Sequence, residues 1–417
     1  MSPRTPARRL AALLAPAFVL LLGALPAQAD DNDYVAIERG RYLATVGDCS
    51  SCHLHRESPY AGGRGIEAPF GTINAPNITP DPETGLGRWT RDDFARALQQ
   101  GVSRNGGHLY PALPYPWFTR ISREDSDAIY AYLRTVPPVS NAVNRDTLPF
   151  PFSIRAVMRV WNGMFFEPGR FQPVIGRTDE WNRGAYLVEG LGHCGACHTP
   201  VNALGGSRRS QSFAGQALQG WYAPNIGGSS YQGIGEWGVD DVVQYLRTGA
   251  NGWTRASGPM AEVVQRSTSR MTEADLRAIA VYLRDQPGRG PATAPPALAA
   301  DSPRMRTGQA IYVDNCSACH RRDGQGVESM IPSLASNQIA VQAGPETLIR
   351  LVLSGSRPAA TDAEPTAPAM PAFGWRLNDA QVADVVTYLR NSWGNAAPPV
   401  EASVVQTMRR QLAARGE

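Results

Sequence analysis

The 417-residue sequence contains no lysine, so each of its forty basic side chains is an arginine. Any basic surface it offers a partner is therefore a guanidinium surface. Net charge is also scarce. Residues 1–29 hold Arg4, Arg8 and Arg9 and no acid, and without them the formal charge of +3 falls to zero. A neutral chain with no basic run excludes nucleic acid as a partner. Beyond residue 29 no segment approaches the ~20 apolar residues that span a bilayer. Cysteine is the last scarcity, at six residues, with none left over for a disulfide framework.

All six cysteines fall in three copies of one pattern: CSSCH at Cys49 to His53, CGACH at Cys194 to His198 and CSACH at Cys316 to His320. A C-x-x-C-H run reads as a c-type haem attachment site. Its two thiols add to the porphyrin vinyl groups, and the adjoining imidazole is delivered to one face of the iron. A thioredoxin-like redox pair or half of a zinc site uses the same cysteine spacing. Three copies, each closed by histidine, favour haem. Cys49, Cys52, Cys194, Cys197, Cys316 and Cys319 are then attachment points for three haem c groups, and His53, His198 and His320 are iron ligands.

Residues 1–29, an arginine-bearing start and an apolar core closed by AQA before Asp30, read as a secretory signal. The remaining 388 residues exceed what one core organises. Internal repeats divide them. RGRYLATVGDCSSCH, RGAYLVEGLGHCGACH and TGQAIYVDNCSACH each open a repeat. SREDSDAIYAYLR, TEADLRAIAVYLR and NDAQVADVVTYLR each close one, with Ser122/Asp125, Thr272/Asp275 and Asn378/Gln381 spaced as capping boxes. A middle helix ending at glycine is expected in each.

The expected fold is all-α, three tandem cytochrome c-type helical domains at 30–140, 181–285 and 304–396, each around one covalently bound haem. An aromatic-rich segment, 141–180, is too apolar for a free linker and should pack on a neighbouring domain or a partner subunit. Residues 286–303 read as an extended Pro/Ala linker. Residues 397–417 read as a tail helix with Val404, Val405, Met408 and Leu412 on one face. Peripheral membrane contact, partner docking and a solvated terminal helix are the readings open to it. Asn and Trp of the shared APNI and GRW/GEW stretches serve either haem propionates or plain turn geometry and packing, and His55 and His193 are expected in exposed loops.

A thioether is a common second axial ligand in cytochromes c. Met260 and Met370 stand 23 and 19 residues before Leu283 and Leu389 of their closing helices and are the candidates. In the first repeat the same window holds Leu113, which has no lone pair, while His108 lies slightly outside it. A vacant or water-filled site, ligation by His108, and a ligand not visible in the sequence are the three readings of that iron. Met158 and Met164 are expected as interdomain packing residues.

The three motifs, the APNI and YLR echoes, HLYPALPYP and VWNGMFFEPG together resemble the triheme cytochrome c subunit of bacterial membrane-bound dehydrogenases, the group serving alcohol, gluconate, sorbitol, fructose and aldehyde dehydrogenases. The resemblance implies an electron-transfer subunit, not itself catalytic. Its electrons come from a dehydrogenase catalytic subunit with a flavin, quinone or molybdenum cofactor and pass to ubiquinone or a terminal oxidase. It also implies Met260 and Met370 as axial ligands, methionine where Leu113 stands, and a place on the periplasmic face of the inner membrane. Two further readings are a haem enzyme acting on peroxide or a small molecule at an open first haem, and a free periplasmic shuttle.

Overall fold

A computed structural model describes residue 1 and residues 33–416, except 69, 146, 292, 329 and 367. The expected signal segment, residue 1 apart, lies outside the described residues. The chain is mostly helical. Three times an opening helix crosses a closing helix: Tyr34–Val46 on Arg123–Leu133, Asp179–Tyr186 on Glu273–Arg284, and Pro303–Asn315 on Asp379–Leu389. The middle helices Arg91–Gln100, Val239–Thr248 and Glu346–Ser354 end at Gly101, Gly249 and Gly355, with φ of 65°, 79° and 73°. Glycine takes that conformation without Cβ strain.

Each crossing is made at a glycine. A Cβ on Gly40 would lie 1.8 Å from the Ala128 carbonyl oxygen, one on Gly184 1.9 Å from that of Ala278, and one on Gly308 2.3 Å from that of Asp384. The helices touch backbone to backbone, which lets Leu43, Leu133, Leu187 and Leu276 close over the contact with almost no exposure.

The all-α expectation needs a correction. Two antiparallel hairpins, Gly65–Ala68 with Gly71–Asn74 and Gln216–Leu218 with Trp221–Ala223, lead into the two APNI stretches. Strands of three or four residues are too short to declare an alternating pattern.

The first and second repeats share one apolar core, which runs from Leu43 and Ile129 to Leu276 and Leu283, while the third has its own around Tyr312, Val382 and Val386. Polar contacts explain the union. Arg39 bonds Asp125 (Nε to Oδ1, 2.7 Å) and Arg183 bonds Asp275 (2.8 Å), each within its own repeat. Tyr42 donates across to Asp275 and Tyr186 across to Asp125, both at 2.5 Å. Ser122 and Thr272 still accept from the N–H groups of Asp125 and Asp275, but both carboxylates face this crossed network instead of completing their caps. Only Asn378 and Gln381 form the full reciprocal box among the three expected ones.

The tail helix Ala402–Arg415 buries Val405, Met408 and Leu412 on the third core, whereas Val404 is exposed. Its apolar face is thus taken up within the fold, which overturns the membrane-contact and solvated readings of that face. Arg415 pairs with Glu67 of the first repeat (2.7 Å). The described residues of the 286–302 linker have no helix or strand but are held, since Asn225 bonds the Arg289 carbonyl (2.8 Å) and Leu298 N bonds Asn391 (3.1 Å). The aromatic segment does pack on the first two repeats: Trp161 Nε1 donates to Leu204 O (2.8 Å), and Phe166 and Phe171 meet Tyr115 and Tyr186. Met158 is buried as expected, but Met164 is exposed. Among the described residues no helix is long and apolar enough to cross a membrane.

Candidate metal centres

Each C-x-x-C-H run sits on a single helical turn just after an opening helix or its extension: Cys49–Cys52, Gly195–His198 and Ser317–His320. One turn puts both sulfurs of a pair on the same side. Burial pushes the Cys49 thiol up to about 12, with the Asp48 carboxylate adding to the shift, and pushes Cys194 to about 12 and Cys316 to about 11. Cys52 and Cys197 have open surfaces, yet protein surrounds them on most sides and pushes both up to about 11. Burial thus disfavours the thiolate at these five cysteines. Among the described residues no three His, Cys, Asp and Glu side chains gather as a bare metal site requires.

The histidines of the three runs share one device. His53 Nδ1 lies 2.6 Å from the Pro76 carbonyl oxygen, His198 Nδ1 2.7 Å from that of Pro224, and His320 Nδ1 3.2 Å from that of Pro332. A carbonyl only accepts, so each Nδ1 carries the proton and each Nε2 keeps its lone pair. Burial lowers all three pKa values, which keeps the rings neutral. A neutral imidazole with one nitrogen tied to a carbonyl and the other free is the form that ligates a metal.

Pro76, Pro224 and Pro332 were not singled out by sequence. The first two stand in the APNI repeats, so a signal existed, but a backbone carbonyl has no residue code. The asparagines beside them serve the turn: Asn77 Oδ1 accepts from Thr79 N (2.9 Å) and Asn225 Oδ1 from Gly227 N (2.8 Å). Both Nδ2 groups also bond backbone, Val139 O (2.7 Å) and Arg289 O (2.8 Å), so turn geometry accounts for both asparagines. Trp237 differs, because its buried Nε1 has no hydrogen-bond partner among the described residues. That donor fits the carboxylate of a haem propionate. His193 is not the exposed loop residue expected. Its Nδ1 donates to Leu191 O (2.9 Å) and its ring meets Phe118 edge to face.

Leu113 and Met260 are half-buried against the core that Cys49 and Cys194 also touch, and Met370 against the core that Cys316 touches. Each methionine thus lies against the same core as the cysteine motif of its repeat.

The profile of the cytochrome c family matches residues 37–137 and 305–393. The cytochrome c subunit of gluconate 2-dehydrogenase from Pantoea cypripedii is 41% identical over 94% of this chain and 94% of its own length. The chain belongs to the family of cytochrome c subunits of bacterial dehydrogenases. The cytochrome c subunit of a quinone alcohol dehydrogenase from Gluconacetobacter polyoxogenes is 40% identical over 92% of this chain and 86% of its own. The fructose dehydrogenase cytochrome subunit of Gluconobacter japonicus is 37% identical over 90% and 82%. The cytochrome carries covalently bound haem c and is an electron-transfer subunit, and the residues present fit that group: paired cysteines, imidazoles held by Nδ1, and an unpaired indole N–H.

Proposed function

We propose that the cytochrome folds as three tandem domains, 30–140, 181–285 and 304–396, each around one haem c. Cys49 with Cys52, Cys194 with Cys197 and Cys316 with Cys319 would hold the macrocycles. His53, His198 and His320 would supply one axial nitrogen, and Met260 and Met370 a second axial sulfur in the last two. The observation that carries this reading is the three-fold recurrence of an imidazole Nδ1–H bonded to a proline carbonyl, in the second repeat as much as in the two that the family profile covers. When bound, haem supplies one-electron transfer between Fe(II) and Fe(III). The chain orients the imidazoles, keeps water from the ring faces and stabilises the propionates.

On this reading electrons enter from a dehydrogenase catalytic subunit and leave to ubiquinone or a terminal oxidase, at the periplasmic face of the inner membrane. An exposed apolar stripe supports work in an assembly rather than as a free shuttle. Val157, Val160 and Met164 of helix Val157–Phe165 are 50%, 63% and 55% exposed, and Phe150, shortly before it in the chain, is 80% exposed. Such a contiguous patch marks an interaction surface. The test is purification of the tagged full chain from its native membrane. Three haems per chain and haem reduction by gluconate, an alcohol or fructose in the co-purified complex are expected. A lone chain whose haems no sugar, alcohol or aldehyde reduces would refute the subunit reading.

A further inference from the structure

The first repeat departs from its siblings at the place where they carry a candidate methionine. After Gly101 the chain folds back and Val102 pairs with His108, through Leu109 N to Gly101 O (2.8 Å) and Ser103 N to Gly107 O (2.9 Å). After Gly249 the second repeat does the same, pairing Ala250 with Arg255 through Ala256 N to Gly249 O (2.7 Å) and Asn251 N to Thr254 O (3.1 Å). The two ladders superpose bond for bond. Five residues beyond the paired position stands Leu113 in one and Met260 in the other. Leu113 lies in the bend before helix Tyr115–Phe118 and Met260 in helix Gly258–Arg266, so at the same step of the chain beyond a matching ladder the first repeat carries an isobutyl group and its sibling a thioether.

Other donors of the first repeat and its flanking segment are occupied or placed elsewhere. Met158 is buried but outside the core that Leu113 touches, and Met164 is exposed. Tyr110 donates to the Phe152 carbonyl, and Tyr115 to Asn162 Oδ1 (2.6 Å). His108 is the one competitor, because its buried Nδ1 has no hydrogen-bond partner among the described residues. Its ladder position, however, is that of Arg255, whose guanidinium is bound to Glu364 of the third repeat. In the repeat that retains its methionine, that position serves a contact with a neighbour.

We propose that the iron carried by His53 has no protein ligand on its second axial side, and that the face under Leu113 takes a small neutral diatomic π-acceptor, carbon monoxide or nitric oxide. This rests on the haem assignment above. Alkyl carbon gives no hydrogen bond to a bound anion, and the donors around a distal site decide what binds there. The ferrous iron therefore takes neutral π-acceptors in preference to cyanide or azide.

The test uses the full holoprotein, reduced with dithionite and titrated with carbon monoxide, while mass spectrometry of the Cys49–Cys52 peptide reports haem attachment independently. One haem in three should change its Soret band. Leu113→Met should abolish that response and Leu113→Ala retain it, with His108→Ala the same as the parent. No response in the parent protein, or a response that appears only in His108→Ala, overturns the proposal, the second result by making His108 the ligand. A peptide without haem would instead overturn the attachment assignment itself.

Discussion

Replacing Gly40 by alanine tests the helix crossing on which each repeat is built. A Cβ there would lie 1.8 Å from the Ala128 carbonyl oxygen and 2.9 Å from the Tyr132 Cβ. A C–H···O contact needs ~3.3 Å, so the helices would have to part by about 1.5 Å. Rotamer changes give no relief, because the atom met is backbone. Overpacking of this kind costs about 3 kcal/mol or more, against the ~1 kcal/mol that alanine gains over glycine within a helix. The net loss is about 2–3 kcal/mol. At about 2–4 °C per kcal/mol for a folding unit of this size, the melting temperature should fall by about 5–10 °C. Gly163 provides the control: it lies inside helix Val157–Phe165, and a Cβ there meets nothing within 4 Å. Gly163→Ala should therefore raise stability by up to ~1 kcal/mol. The assay is thermal unfolding of the holoprotein by far-ultraviolet circular dichroism. A Gly40→Ala protein as stable as its parent would refute the crossing.

Tyr42→Phe and Tyr186→Phe each remove one hydrogen bond to a carboxylate and should each cost about 1–2 kcal/mol in denaturant unfolding; no loss from either would mean that the crossed contacts are incidental. Burial opposes ionisation of Asp275, but bonds from Arg183 and Tyr42 outweigh it and hold the carboxyl below its usual range. A depressed folded pKa gives stability that is complete above the unfolded value near ~4 and is lost as pH falls through the folded one. Acid unfolding below about pH 4 should accordingly be less steep in Asp275→Asn, and an unchanged profile would count against the network. Met260→Ala and Met370→Ala should each remove the methionine-to-iron charge-transfer absorbance of one haem, and the double variant should have none left; a surviving band would place a methionine ligand elsewhere.

Much of the site was legible because covalent chemistry imposes strict spacing. Two thiols and an imidazole that must reach one macrocycle allow little variation, so Cys49 to His53 and its two siblings could be read directly. The proposal of Met260 and Met370 rests on their distance from a strongly periodic closing helix. What escaped has no local code. The proline carbonyls act through backbone, and in the third repeat Pro332 follows its histidine by twelve residues where Pro76 follows His53 by twenty-three. Asp125 and Asp275 looked like capping residues because they stand three after Ser122 and Thr272. Their carboxylates instead serve partners 86 and 92 residues away in sequence, Arg39 and Arg183, together with a tyrosine of the other repeat. The tail helix was legible as amphipathic, but amphipathicity does not say which surface the apolar face meets.

Those misread aspartates also explain why the three repeats are not equivalent neighbours. The crossed network needs a tyrosine two residues after the crossing glycine and an aspartate three residues after the cap. Gly40 and Gly184 are followed by Tyr42 and Tyr186, and the caps by Asp125 and Asp275; the third repeat has Ala310 and Gln381 at these places. Ala310 has no hydroxyl to donate across such an interface, and Gln381 turns back to close its own cap. The third repeat joins the second by other means. Gln342 accepts from Asn225 N (3.0 Å) and donates to Gln232 O (2.7 Å), while Gln232 donates to Val341 O (2.8 Å). Crossed tyrosine–carboxylate bonds between the first two repeats, and paired amides with the Arg255–Glu364 ion pair between the last two, are different solutions to one problem, the desolvation of polar groups at a contact. The crossed solution works only as a pair, because a tyrosine hydroxyl without the other repeat's carboxylate loses its acceptor. The first two repeats are therefore bound as a reciprocal pair, with the third attached to one side of it and tied back to the first through Arg415 and Glu67.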